Sequence, residues 1–326
     1  MTIAVAYKWA ANPQDASVGA DGTVDWSRAK PAVSEYDPVA AQVGRTLADQ
    51  TGAELVGVSV GTRAVSGSMA KKAAMSRGFD RGVVVADDAV AGWNLTAVAR
   101  ALADLVRTIG DVDLLLTGDA SIDENARMTS ALVAGYLGWP CLQEVQAVEK
   151  TDSGWTVTQS VPGGTRSVAV DGPAVIAVTA DAAKTRVPGM KDILAAGKKK
   201  VDVVSPEAPT ATLEVVSLSR PEPRSRKNSI LPNAEELIDA GPGDLILAAD
   251  RAAERVIAGA VAARLDAPVL TGVTSISDGA VTRARYGGLT LETVRSSRPI
   301  VIIAPGGSPV AGEPVAPEAA STEESA

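Results

Sequence analysis

The chain has 326 residues, 46% apolar and 21% charged, enough apolar sequence for a packed core and enough length for two domains. A net charge of −8 argues against nucleic acid as the main partner, and the complete lack of histidine excludes Ser-His-Asp and Cys-His catalysis and every histidine metal site. Cys141 is the single cysteine, so neither an intrachain disulfide nor a cysteine-cluster metal site is available.

The opening "MTIAVAYKWA" lacks the basic flank and long apolar segment of a secretory signal, and no run of about 18 apolar residues offers a membrane span. A cytoplasmic protein is expected. Aromatic residues are only 3% of the chain, so Ala, Val and Leu must fill its core.

In chain order, "TIAVAY" (2–7), "ELVGVSV" (54–60), "GVVVAD" (82–87) and "DLLLTG" (113–118) read as buried, β-branched strands. Between them, 37–52, 68–78 and 94–110 have helical spacing. The last sets Leu95, Val98, Leu102, Leu105, Val106 and Ile109 on one stripe, with Arg100, Asp104 and Arg107 off it. Strands alternating with helices predict a doubly wound, mostly parallel α/β sheet, which binds ligands beyond the carboxyl ends of its strands. The long polar connection "KWAANPQDASVGADG" after the first strand suggests a functional or interface loop.

From 143 the alternation tightens. "QEVQAVEK", "GWTVTQSVP" and "RSVAVDGPAVIAVTA" read as antiparallel strands appended to the sheet. Residues 205–233 are rich in Pro, Ser and Arg and are expected to form a linker or extended arm. A second, smaller α/β piece (234–307) follows, with strands "DLILAAD", "PVLTGVTSI" and "PIVIIAPGG" and a helix over 251–266. The acidic, Pro/Ala-rich 308–326 is expected to be disordered.

The stretch "GDASIDENARMTSALVAGYLGWP" (118–140) carries the chemistry. Ser121 and Glu124 match a capping-box spacing at a helix start. The same turn sits at the carboxyl end of a strand, where helix-start amides bind phosphate, and Arg127 and Thr129 add a forked cation and a hydroxyl. Capping alone and a held nucleotide or small anion both remain open on these residues. The run "KKK" (198–200) reads as a solvated surface, the five tryptophans as core or interface anchors, and Cys141 as buried and inert.

The run "LLLTGDASIDENARMTSALVAGYLGWP" resembles the nucleotide loop and helix of the electron-transfer flavoprotein beta subunit family. "AVAYK", "EYDPVAAQ", "VGVSVG", "AMSRGFDRGVVV" and "RVPGMKDILAAGKKKVDVV" follow the same family in order, so the resemblance covers residues 1–204. It implies an adenine nucleotide alpha hydrolase-like α/β domain that binds AMP, or a second FAD in electron-bifurcating members. Its partner would be an alpha subunit holding most of an FAD. By position, the nucleotide contacts fall on Ala6, on Asp37, Pro38, Val39 and Ala40, and on Val60. They continue along Gly118, Asp119, Ala120, Ser121, Ile122, Asp123, Glu124, Asn125, Ala126, Arg127, Met128 and Thr129.

Three departures stand out. Arg127-Met128-Thr129 replaces Asn-Gln-Thr, Asp37 replaces the Asn of an Asn-Pro pair, and Pro13 and Val39 stand at the aromatics that would face a flavin ring. "RVPGMKDILAAGKKK" aligns with the loop that docks on a flavin-dependent dehydrogenase, with Met190 as its apolar anchor beside Ile193 and Leu194.

Residues 243–305 resemble the second half of the alpha subunit's N-terminal domain, without that subunit's flavin domain. The implied role is a beta-type subunit shuttling electrons from a dehydrogenase, through a partner's FAD, to a membrane quinone reductase or another acceptor. The competing reading is an adenine-nucleotide-binding module without redox activity.

Overall fold

The computed structural model describes residues 1–205, 207, 209, 213–221, 245–296 and 300–304. The expected acidic tail, residues 234–244 and most of the expected linker lie outside the described residues.

Strand β1 (Thr2–Ala6) leads into the long polar connection, which carries β2 (Trp9–Ala11), β3 (Ser17–Val18), β4 (Val24–Asp25) and β5 (Pro31–Val33). Helix α1 (Asp37–Thr51), β6 (Glu54–Gly61), α2 (Ser68–Met75), β7 (Arg81–Ala86), α3 (Leu95–Ile109) and β8 (Val112–Gly118) alternate as the periodicity requires. Then come α4 (Thr129–Leu137), β9 (Cys141–Lys150), β10 (Gly154–Val161), β11 (Gly164–Asp171), β12 (Ala174–Val178), α5 (Met190–Ala196) and β13 (Val201–Val203). The C-terminal part comprises β14 (Leu213–Ser219), β15 (Leu245–Ala249), α6 (Ala252–Leu265), β16 (Val269–Thr271), β17 (Val273–Ser277), β18 (Ala280–Arg285), β19 (Thr290–Ser296) and β20 (Ile300–Ala304).

The main sheet runs β11-β10-β9-β12-β8-β1-β6-β7-β13. All its pairings are parallel except β9–β10 and β10–β11. The antiparallel extension is therefore the two-hairpin set β9–β11. The expected third strand of that extension divides: β11 is antiparallel, whereas β12 inserts parallel between β8 and β9. Its burial explains the placement, because every residue of Ala174–Val178 is buried and such a run suits a sheet interior covered on both faces.

The chain leaves β1 in one direction, through β6 to β7, and returns to β8 on the other side of β1. Crossovers of one hand then put helices on opposite faces of the sheet. Successive residues of β1 feed the two layers in turn: Ile3 and Val5 pack with α1 and α2, and Ala4 and Ala6 with α3 and α4. Asn94 caps α3 by accepting the Ala97 N–H at 2.9 Å, and the apolar stripe of that helix faces the second layer.

The C-terminal part packs on the α3–α4 side. Gly259 of α6 lies so close to Ala131 of α4 that a Cβ there would sit 2.5 Å from the alanine Cβ. Thr96 of α3 donates to the Ala267 carbonyl at 3.0 Å and accepts the Val269 N–H at 3.2 Å. Strands β15, β20 and β16 form a small parallel sheet, and β14, β19, β18 and β17 an antiparallel one. The single strand expected over 268–276 is thus two strands in different sheets. Residues 213–219 of the expected linker are the edge strand β14. Among the described residues no helix is long and apolar enough to cross a membrane.

Candidate functional site

The strand order reverses at β1, whose neighbours β6 and β8 carry the chain in opposite directions. A doubly wound sheet opens a crevice at such a point, outside the strand carboxyl ends. The crevice is there. Its floor is Ala6, Val60, Gly61, Thr117 and Gly118, and its volume is about 680 Å³, within the ~300–1,000 Å³ of small-molecule sites. Five of the chain's ten aromatic residues line it: Tyr7, Trp9, Trp26, Trp93 and Tyr286. In a chain this poor in aromatics, that concentration supplies flat apolar surface for a planar ring.

Of the residues singled out by position, Ala6, Asp37, Val60, Gly118, Asp119, Ala120, Ser121, Asp123, Glu124, Ala126, Arg127 and Thr129 line the crevice. Pro38, Val39, Ala40, Ile122, Asn125 and Met128 do not. Val39 and Ala40 are packed in the core beneath α1, and Met128 is fully buried in the opposite layer. The crevice also uses residues that sequence reasoning did not assign to it. Lys8, Trp9 and Trp26 come from the long connection, and Arg283, Arg285, Tyr286 and Glu292 from the C-terminal antiparallel sheet.

The turn after β8 is a ten-residue loop, 119–128, before α4 begins at Thr129. The expected capping box is not formed. No side chain caps α4, the Ser121 carbonyl accepts the Asn125 N–H at 2.9 Å, and the Glu124 carboxylate pairs with Arg285. A distant cation competes for Glu124 more strongly than a neighbouring amide. Asn125 and Arg127 both take left-handed backbone, at φ 49° and 52°. Asn tolerates that conformation and Arg does so rarely, so the Arg127 backbone must be held from outside.

Among the described residues, every cation lining the crevice is paired. Lys8 Nζ lies 2.6 Å from Asp123 Oδ2, and Arg127 Nη1 lies 3.3 Å from Asp119 Oδ2. Arg285 bridges Glu124 and Glu292, reaching the latter at 3.0 Å, and Arg283 meets Glu292 at 2.6 Å. Asp37 is buried and accepts the Lys8 backbone N–H at 2.7 Å. Burial pushes its carboxyl up to about 7, against the pull of the Lys8 and Gly118 amides and the Lys8 ammonium. Gly118 has no room for a side chain, because a Cβ would meet Asp37 Oδ1 at 2.9 Å and Tyr36 Cβ at 2.7 Å. Burial also raises Asp119, opposed by Arg127 and Arg255. Its Oδ1 is buried and, among the described residues, has no hydrogen-bond partner.

Other residues fall elsewhere. Met190 is 72% exposed and Leu194 64%, with Val187 and Met69 also exposed, whereas Ile193 is half-buried. The lysine run is not wholly solvated: Lys199 donates to the Met75 carbonyl, at the end of α2, at 3.2 Å and to the Phe79 carbonyl. Cys141 is partly buried, and desolvation pushes its thiol up to about 12, where it stays protonated and unreactive. Trp155 is a core residue, while Trp26 meets Tyr286 edge-on with ring centroids 4.7 Å apart. Compared with protein families, residues 21–209 and 222–325 match the electron transfer flavoprotein domain.

Proposed function

The chain belongs to the electron transfer flavoprotein domain family, and from that premise we propose that it is a beta-type subunit holding an adenine nucleotide in the crevice. It pairs with an FAD-binding alpha subunit and relays electrons from a flavin-dependent dehydrogenase to an acceptor such as a quinone reductase. The nucleotide is AMP, or the adenine end of a second FAD.

The observation that carries this reading is the crevice itself. A site of mononucleotide size, walled by half of the chain's aromatic side chains, lies where the sheet reverses. The lining suits an adenine nucleotide: ring faces from the tryptophans, backbone at Ala6 and Val60, and the polar groups of Ser121 and Thr129. When bound, the partner's flavin supplies the one- and two-electron chemistry. This chain's residues bind, orient and exclude water, and none of them forms a covalent bond to substrate.

The segment 186–200 supports the docking role. Asp192 Oδ2 accepts the Gly189 N–H at 2.9 Å and pairs with Arg186 at 2.7 Å, which fixes the turn before α5. Lys199 ties the far end to α2. Val187, Met190 and Leu194 then stand exposed on a rigid base, and an unbranched thioether adapts to an imperfect pocket. Met190→Ala is expected to slow electron transfer from the dehydrogenase by about tenfold or more, on the scale of one interface anchor. Stability should change by no more than about 0.5 kcal/mol, as for an exposed side chain. Stopped-flow reduction of the complex, alongside its melting temperature, separates the two. Unchanged transfer kinetics would refute the docking assignment.

A further inference from the structure

The loop 119–128 carries most of the crevice's polar groups, yet little of its own backbone holds it. Its internal hydrogen bonds are the Asn125 N–H to the Ser121 carbonyl and the Glu124 N–H to Asp123 Oδ1. Two residues sit in left-handed backbone, one of them an arginine. Beyond these and the Arg127–Asp119 ion pair, the loop is held from outside, and two of the tethers start in the C-terminal part of the chain.

The first tether is Arg285, whose guanidinium pairs with Glu124 at the loop's turn and is itself steadied by Glu292 and by the Tyr286 ring, 4.7 Å away. The second runs through Gln143, which is fully buried. Gln143 Nε2 donates to the Arg127 carbonyl at 2.8 Å, pinning the strained residue, and to Ser130 Oγ at 2.8 Å. Its Oε1 accepts from Arg255 Nε at 3.1 Å, which fixes the amide's orientation. Arg255 is 2% exposed and held by Asp250 at 2.8 Å and Glu144 at 3.1 Å.

We propose that Arg285 and Arg255 are positioning residues of the nucleotide crevice, so that the C-terminal part of the same chain completes the site by setting the 119–128 loop. Arg285 does so directly through Glu124. Arg255 does so through Gln143 and the Arg127 carbonyl, which leaves the Arg127 guanidinium against Asp119 at the crevice wall. A charge-assisted pair to a loop is strong enough to select one loop conformation among several. A ligand that binds only that conformation loses affinity in proportion to its population. This inference rests on the reading of the crevice as an adenine-nucleotide site.

The test uses the full chain freed of nucleotide, with AMP as the calorimetric probe, and the melting temperature of each ligand-free variant. Arg285→Gln, Glu124→Gln and Arg255→Gln should each weaken AMP binding by about tenfold, the scale of one charge-assisted hydrogen bond. Arg285→Lys should restore part of the loss, because a point charge replaces the fork. The Arg285→Gln/Glu124→Gln double variant should bind no worse than either single one, because both remove the same tether. If Arg285→Gln fails to fold, Glu124→Gln, on a partly exposed side chain, decides. Affinities equal to wild type would make the arginines mere staples between two parts of the chain and overturn the proposal. Additive losses would also overturn it, by assigning Glu124 and Arg285 separate contacts with the ligand. Wild-type chain that binds neither AMP nor FAD would bring down the reading of the crevice as well, an outcome distinct from both.

Discussion

Asp37 couples the crevice to pH. Its carboxyl is buried and ionises near pH 7, whereas in the unfolded chain it ionises near pH 4. Between those values the folded state binds more protons than the unfolded state, so stability falls as pH rises. The contribution is fully present below about 4 and lost through about 7, at up to about 1.4 kcal/mol per pH unit. Asp119 is raised in the same direction and adds to the slope. Asp37→Asn keeps an acceptor for the Lys8 N–H and removes the titration, so its melting temperature should depend less on pH between 4.5 and 8. Identical pH profiles for variant and wild type would contradict this. The sequence singled out Asp37 only by its position in the family-like run "EYDPVAAQ". Its perturbed acidity was not legible there, since it depends on burial and on an amide 29 positions away.

Among the elements, α3 and the first four strands of the main sheet were readable because their patterns are local: an apolar stripe and uninterrupted apolar runs. The capping-box reading of the 119–128 loop failed for the same reason. Ser121 and Glu124 have the spacing of a capping box, but Arg285, 161 positions further on, takes the glutamate. The parallel placement of β12 was equally hidden, because an apolar run does not state its direction. Packing of α6 on α4 turns on Gly259, which leaves no space for a methyl group: a Cβ would lie 2.7 Å from the Ala131 carbonyl carbon. Gly259→Ala gains about 1 kcal/mol in helix propensity, yet it should cost about 1–3 kcal/mol overall by forcing the helices apart. Denaturant unfolding checks the sign, and a stabilised variant would show that the two helices separate at no cost.

At the scale of the molecule, the crevice and the exposed apolar segment 186–200 lie in different places. The crevice lies beyond the carboxyl ends of β1, β6 and β8, and α5 packs beside α2, under which the first apolar layer runs. On the proposed function, this separation would let one chain hold a nucleotide while presenting apolar side chains to another protein. The alternation of strands and helices was enough to place the crevice at the strand ends. It said nothing of the wall contributed by β14, β18 and β19, because contacts so distant in sequence leave no local pattern. The Trp26–Tyr286 contact and the Thr290 hydroxyl on the Gly22 carbonyl at 2.6 Å join the long connection to that wall.

On the proposed function, the crevice holds an adenine nucleotide. The most direct measurement is the nucleotide released when the chain, purified alone, is denatured and its supernatant analysed by chromatography and mass spectrometry, with the visible spectrum recorded beforehand. A nearly colourless protein that releases about one AMP per chain is expected, and one that melts higher when AMP is added back, because a ligand bound only to the folded state stabilises it. About one tightly bound FAD per chain would replace AMP with a second flavin in the same crevice. A protein that releases no adenine nucleotide, and whose melting temperature does not move with AMP or FAD, would contradict the account.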